Sequence, residues 1–267
     1  MNIVCCVKQV PDPETPARAF KVNEAAKQVV PAPGIPPVIS QFDQIGVEAA
    51  LRIRDTLGEG TISVLSLGPD SARDAIKTGL AMGADEGVHL NDPALFDGDG
   101  YSTAVALAAA IQKIGSVDLV ICGRQATDWD FGVTGLALAE LLGASAISIT
   151  KSISIIDGRV QAERVLGDAF ETVEAPTPCV VTVSNELGEP RYPKLPQIMQ
   201  AARKQLTVWT AADLGLSSDQ VGVAGARLNL EALYVPQVES NCEFIEGDNP
   251  AEMAANLARS LREAKLI

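Results

Sequence analysis

The stretch Gly123-Arg-Gln-Ala-Thr-Asp-Trp-Asp-Phe-Gly-Val-Thr-Gly135 follows directly on the apolar run Val117-Asp-Leu-Val-Ile-Cys122 and leads into the apolar segment Leu136–Leu142. A short buried strand therefore runs into a loop with glycines at 123, 132 and 135, and the loop runs into a helix. Such a loop offers unpaired backbone N–H groups and the positive end of a helix dipole, with the Thr134 hydroxyl beside them. Those are the parts that hold a phosphate. A glycine-bearing strand-to-helix turn also arises for purely geometric reasons, so the weight falls on what converges with it.

Working outward, strand and helix patterns alternate over the first 143 residues. Asn2–Val7 reads as a buried strand stopped by the prolines of Lys8-Gln-Val-Pro-Asp-Pro13. Residues 14–38 hold five prolines and read as an irregular surface excursion. A helix is predicted near 41–57, with Phe42, Ile45, Ala49, Ile53 and Leu57 on one stripe. Strand Ile62–Leu67, helix Ser71–Met82, strand Gly87–Leu90 and helix Tyr101–Ile114 follow. Successive strand–helix units imply right-handed crossovers and a mostly parallel sheet, whose ligands bind outside the carboxyl ends of strands at a switch point. The loops after Val7, Leu67 and Cys122 all leave such ends, and Ser40-Gln-Phe-Asp43 is placed to touch a base or ribose.

Beyond residue 145 the texture changes. Ser145–Thr150 and Val160–Leu166 read as a hairpin turning at Asp157-Gly158, and Cys179–Ser184 as a further strand. Glu189-Pro-Arg-Tyr-Pro-Lys-Leu-Pro196 reads as a stiff irregular loop, and Gln197–Lys204 as a short, partly basic helix. In the tail, Asn249-Pro-Ala-Glu252 supplies an N-cap, a proline at the first helical position and a capping-box glutamate. Met253, Leu257 and Leu261 then form an apolar stripe. The expectation is an α/β nucleotide-binding domain over 1–206, with a mostly parallel sheet of the Rossmann-like, adenine-nucleotide-binding type. Residues 207–267 are expected to form an extended arm and terminal helix. That arm packs on its own domain or on a partner subunit, and its length favours the partner.

Composition narrows the class. The chain is 47% hydrophobic but 4% aromatic, which suits helices on a parallel sheet. A net charge of −13 argues against nucleic acid and anionic membrane surfaces. Cys5, Cys6, Cys122, Cys179 and Cys242 contain no CxxC and no zinc spacing, and four lie in apolar runs that suit buried, reduced thiols. Met1-Asn-Ile-Val opens a strand without a basic leader, and no apolar run approaches the roughly 20 residues of a membrane span. A soluble protein of a bacterial or archaeal cytoplasm, with no direct membrane insertion, is expected.

Several enzyme classes lack their parts. His89 is the only histidine, so histidine-dependent triads and multi-histidine metal sites are excluded, and a strand-end histidine suits a structural role. No GxGxxG follows the first strand and no GxxxxGK[ST] occurs. Asp128 and Asp130 are spaced like metal ligands, but the same pair shapes a turn through Asx hydrogen bonds. Neither a catalytic residue nor a metal site is expected. Leu195, between Pro193 and Pro196, either plugs its own core or stands out as an apolar knob for a partner, and nearby Lys194, Arg203 and Lys204 favour docking.

Taken together these residues resemble the beta subunit of an electron transfer flavoprotein, over nearly the whole chain. Val7-Lys-Gln-Val-Pro-Asp12 is similar to the family's opening strand and turn, Leu80-Ala-Met-Gly-Ala-Asp85 to its second helix end, and Gly123-Arg-Gln-Ala-Thr-Asp128 to its nucleotide loop. Glu189-Pro-Arg-Tyr192 with Leu195-Pro196 is similar to its recognition loop. The resemblance implies a heterodimer with an alpha subunit that carries the redox-active FAD, while this chain holds AMP structurally. It implies AMP contacts from Cys6, Ser40, Gln41, Phe42, Asp43 and Leu67. Further contacts would come from Gly123, Arg124, Gln125, Ala126, Thr127, Asp128, Trp129, Asp130, Phe131, Gly132, Val133 and Thr134. Tyr192, Leu195, Pro196 and Ile198 would dock acyl-CoA or other flavin dehydrogenases, and a membrane quinone oxidoreductase or another acceptor would receive the electrons.

The chain departs from the family pattern in three places. Gly167-Asp168-Ala169 before Glu171 keeps the beta-subunit signature only in part; Val165 stands where mitochondrial-type members carry a glutamate; Pro13 aligns with a flavin-contacting tyrosine. Bifurcating members, which replace AMP by a second FAD and oxidise NADH, resemble Asp-Gly-Asp-Thr-Ala-Gln-Val-Gly where this chain reads Asp128-Trp-Asp-Phe-Gly-Val-Thr-Gly135. Thr134 falls where AMP-binding members place threonine, which favours AMP. The tail pieces Tyr234-Val-Pro236 and Phe244-Ile-Glu-Gly247 resemble an amine-dehydrogenase-linked branch. A stand-alone ATP-binding or ATP-hydrolysing α/β protein is the alternative from another class.

Overall fold

The computed structural model describes residues 1–237 and 242–267. The chain opens with β1 (Asn2–Cys6), β2 (Gln9–Val10), the hairpin of β3 (Lys21–Asn23) and β4 (Gln28–Val30), and β5 (Val38–Ile39). Then α1 (Gln41–Leu57), β6 (Thr61–Leu67), α2 (Arg73–Met82), β7 (Glu86–Leu90), α3 (Gly100–Ile114), β8 (Leu119–Gly123) and α4 (Thr134–Leu142) alternate. Next come β9 (Ser145–Ile156), β10 (Arg159–Val165), β11 (Phe170–Ala175) and β12 (Cys179–Val183). The described elements end with α5 (Leu195–Arg203), β13 (Thr207–Trp209), the single turn α6 (Gly222–Gly225) and α7 (Pro250–Glu263).

Nine strands form one sheet in the order β11-β10-β9-β12-β8-β1-β6-β7-β13. Pairing is parallel from β9 to β13 across that order and antiparallel only where β9, β10 and β11 meet. From β1 the chain steps one way to β6 and β7, then crosses to β8 on the other side. The crevice between the carboxyl ends of β1 and β8 is therefore the switch point, where open parallel sheets bind ligands.

Strand alternation feeds two cores. Ile3, Cys5, Ile62, Val64, Leu119, Ile121 and Val181 belong to the one that holds buried residues of α1 and α2. Val4, Cys6, Leu65, Val88, Val120, Cys122 and Val180 belong to the one that holds residues of α3 and α4. The result is an α/β fold with a large, mostly parallel sheet flanked by helices, as the alternation in the sequence predicts.

Four local expectations are corrected. Residues 14–38 are not wholly irregular: β3 and β4 form a hairpin, and β5 pairs with β2. The first hairpin of the second half turns at Asp157-Gly158 as expected, with both residues at positive φ, but β9 runs on to Ile156 and β11 adds a third antiparallel strand. Leu195-Pro196 is the first turn of α5 rather than loop, because proline is tolerated at a helix start. Thr207–Trp209 pairs with β7, so the sheet continues past 206 and the first compact unit extends to Leu233.

The second compact unit is Tyr234–Ile267. Asn249 Oδ1 accepts from the Glu252 N–H at 3.0 Å, and Glu252 Oε2 accepts from the Asp248 N–H at 3.1 Å. The capping box is thus built, displaced by one residue on its return side. No residue of α7 is buried. Among the described residues no helix is long and apolar enough to cross a membrane.

Candidate functional site

The switch-point crevice is held by one carboxylate. Asp43, in the first turn of α1 and 7% exposed, accepts from the Lys8 N–H at 2.9 Å and the Gly123 N–H at 3.0 Å. It thereby joins the residues that follow β1 and close β8. Burial pushes its carboxyl up to about 7, while the N–H groups of Lys8 and Gly123 pull the other way. Above it, Lys8 Nζ and Asp128 Oδ2 form an ion pair at 2.7 Å that ties the first loop to the third. Gly123 must be glycine at this spot, since a Cβ there would lie 2.5 Å from Asp43 Oδ1 and 2.7 Å from Phe42 Cβ.

The loop that follows β8 is ordered from inside. The Arg124 N–H donates to Val183 O, which extends the β8–β12 ladder by one step. The Asp130 N–H donates to Ala126 O, Gln125 Nε2 donates to Asp130 Oδ1 at 2.8 Å, and Asp128 Oδ1 accepts from the Trp129 N–H. The two aspartates are therefore engaged by turn bonds and by Lys8. No group of three or more His, Cys, Asp or Glu able to hold a metal occurs among the described residues. Asp130 and Gly132 both take positive φ. Arg124 lies over the Phe42 ring at 5.3 Å, and Trp129 stacks on Phe131 at 5.9 Å, with both indole and phenyl rings partly in solvent.

Two helices begin here without a side-chain cap: α1 at Ser40 and α4 at Val133. Their first N–H groups and dipole ends face the crevice loops. The Ser40 hydroxyl, at the N-cap position of α1, is fully buried and has no hydrogen-bond partner among the described residues, and neither has the Thr127 hydroxyl. A buried hydroxyl without a partner costs free energy until something supplies one. Thr134 is the first residue of α4, beside Gly100 at the start of α3, where a Cβ would come within 2.5 Å of Val133 Cγ2. Gly135 lets α4 lie against β12, since a Cβ would stand 2.7 Å from Thr182 Cγ2.

The residues anticipated from sequence fall into three places. Ser40, Gln41, Phe42 and Asp43 stand at the start of α1 against the beginning of the 123–134 loop, so these two sets are brought together. Cys6 and Leu67, at the ends of β1 and β6, pack into the core on the α3–α4 side with Cys122. Asp43 has a role that the sequence did not show: each of its oxygens accepts from a backbone N–H, so it ties the residues after β1 to the end of β8. Lys8, which was read only as part of a turn, completes the crevice; the signal was its place two residues past the end of β1. His89 is buried in β7 with Nε2 2.9 Å from Gly68 O, and burial holds its pKa below the usual value.

The remaining set is separate. Tyr192 is 90% exposed and Leu195 68% exposed, with Ile198 and Met199 exposed on α5 beside them. The core-plug reading of Leu195 is thereby overturned. An apolar group of this size in water is a candidate contact surface.

Residues 33–214 match the family described as electron transfer flavoprotein domain. Over the full length of both chains, 35% of residues are identical to an electron transfer flavoprotein subunit beta of Thermoanaerobacterium thermosaccharolyticum. The chain belongs to the electron transfer flavoprotein beta-subunit family. A relative of the same name from Mycobacterium bovis is 36% identical over 233 residues, covering 84% of this chain and 85% of that one. The caffeyl-CoA reductase-Etf complex subunit CarD of Acetobacterium woodii is 33% identical over the whole of both chains. The large, mostly parallel sheet flanked by helices is consistent with that family.

Proposed function

We propose that this chain is the beta subunit of a heterodimeric electron transfer flavoprotein, in which it holds AMP as a structural nucleotide. Its alpha subunit would carry the FAD, and when bound that flavin supplies the redox chemistry. The observation that carries the nucleotide part is the switch-point crevice. Two helices start beside it without side-chain caps, and in the flanking segments the Ser40 and Thr127 hydroxyls are buried with no hydrogen-bond partner among the described residues. The donor set fits a nucleotide: the N–H groups of the 123–134 loop and Thr134 would hold the phosphate, with Ser40 to Phe42 beside the base or ribose. Arg124 would add a cation, since its guanidinium has no carboxylate within ion-pair distance among the described residues.

The docking part rests on the exposed Tyr192, Leu195 and Ile198, which would seat acyl-CoA or other flavin dehydrogenases. Electrons would pass on to a quinone oxidoreductase or another acceptor. The exposed stripe of Met253 and Leu257 on α7 supports the reading that the terminal unit covers the alpha subunit.

A second reading puts a second FAD in the crevice of a bifurcating complex. It is favoured by the full-length likeness to a subunit of a reductase-Etf complex. One experiment separates the two: release and chromatography of the nucleotides from this chain co-purified with its alpha subunit. One FAD and one AMP per heterodimer are expected. Two FAD and no AMP would overturn the assignment of Thr134 and adopt the second reading.

A further inference from the structure

The segment that joins β12 to the docking residues has no regular backbone between Gly188 and Lys194. Pro190, Pro193 and Pro196 restrict its local dihedrals, but local stiffness does not fix the angle at which a segment leaves the protein. That angle is set from α1. Arg52 donates through Nη1 to Leu187 O at 2.8 Å and through Nη2 to Glu189 O at 3.0 Å, while its Nε donates to Glu48 Oε1 at 2.8 Å. Arg191 then donates its backbone N–H to Glu48 Oε2 at 3.1 Å, its Nε to the same oxygen at 2.8 Å and its Nη2 to Oε1 at 3.3 Å.

Glu48 is the hub of this arrangement and is 4% exposed. Burial alone would raise its carboxyl; the bonds from Arg191 and Arg52 outweigh that and hold it below the usual carboxylate range. Arg191 also reaches Asp55, but that pair sits on the solvent side, where such contacts contribute little. Immediately past the anchored Arg191 the chain presents Tyr192, and the Lys194 N–H bonded to Gln197 Oε1 starts α5.

We infer that Glu48 is the positioning residue of the docking segment: by gripping Arg191 and Arg52 from α1 it fixes the attitude at which Tyr192 and Leu195 meet a dehydrogenase. This rests on the docking reading above. Arg191 is more than a third exposed, so water can take over its charge and the neutral amide of E48Q loosens the segment without unfolding α1. If the docking-competent attitude falls to about a tenth of the population, the apparent affinity falls about tenfold.

The test uses the full heterodimer as wild type, E48Q, E48D and L195A, with an acyl-CoA dehydrogenase reduced by its substrate as electron donor. Two quantities are read: amide hydrogen exchange over 187–194 in the absence of the donor, and KM against kcat for electron transfer. Faster exchange at Arg191 and its neighbours in E48Q, with KM up about tenfold, kcat and FAD content unchanged and partial recovery in E48D, supports the inference. Unchanged exchange in E48Q overturns it. So does faster exchange with unchanged KM while L195A raises KM, because docking then ignores the attitude of the segment. An unchanged KM in L195A shows instead that the docking reading has failed, and the positioning role falls with it whatever the exchange shows.

Discussion

The loops that follow β8 and β12 leave neighbouring parallel strands at the same end of the sheet, yet they are held in different ways. The 123–134 loop is tied down along its length: its start is stapled by Asp43, its middle is tied by Lys8 to Asp128, and its Thr127 hydroxyl is buried, while Trp129 and Phe131 stand partly in solvent. The 188–199 segment is anchored at its base by Glu48 and turns its largest apolar side chains outward. On the proposed reading the first would receive a small polar molecule and the second would be received by a larger one. Both loops are held by buried carboxylates of α1, Asp43 under the first and Glu48 under the second.

The contrast breaks most readily at Asp43. Asp43→Ala leaves the partly buried N–H groups of Lys8 and Gly123 without an acceptor, at roughly 1 kcal/mol or more each, and urea unfolding should show about 2 kcal/mol or more lost. A loss below about 1 kcal/mol would mean that the crevice does not depend on the staple. The same residue carries a pH signature. Its folded pKa of about 7 lies above the ordinary carboxylate value near 4, so its contribution is fully present below about pH 4 and lost as pH rises through 7. Unfolding titrations of wild type and D43N between these limits should diverge with a slope of up to about 1.4 kcal/mol per pH unit, wild type losing stability as pH rises. Parallel curves would refute the assignment.

The outward-facing segment gives smaller effects of another kind. Leu195→Ala should leave unfolding unchanged and slow electron transfer from the dehydrogenase about tenfold at low concentration, as expected for an apolar anchor worth about 1–2 kcal/mol, with FAD retained. Unaltered kinetics would remove the second half of the comparison. The finest probe returns to the first loop. Thr134→Val keeps the shape of the α4 start and deletes one hydroxyl, so AMP retention through gel filtration should weaken about fivefold, or about 1 kcal/mol. Full AMP occupancy in that variant would assign the phosphate to the backbone alone.

Much of this fold could be read from the chain, because buried parallel strands are short apolar runs between glycine and proline punctuation. β11 could not: Phe170–Ala175 carries Glu171 and Glu174, lies mostly in solvent and becomes a strand only through its pairing with β10. β13 is three residues long and has no period to detect. At the site, Ser40 was legible from its place just before a helix and the glycine loop from its place after a strand. The role of Asp43 was not, since a carboxylate beside a ligand loop looks the same on paper whether it faces the ligand or the backbone. Glu48 was hidden for a related reason: on a helix it reads as a solvated charge, and its partner Arg191 is 143 residues away.

The two cores on opposite faces of β1 give the staple a further meaning. A slip of β1 by one residue would exchange its whole set of side chains between the faces, and Val4 and Cys5 are similar enough in size for hydrophobic burial alone to resist this only weakly. In the slipped arrangement the Lys8 N–H would no longer stand opposite Asp43. The carboxyl therefore works as a registration mark for assembly, accepting the central strand in one alignment and leaving every other with a buried polar group and no partner.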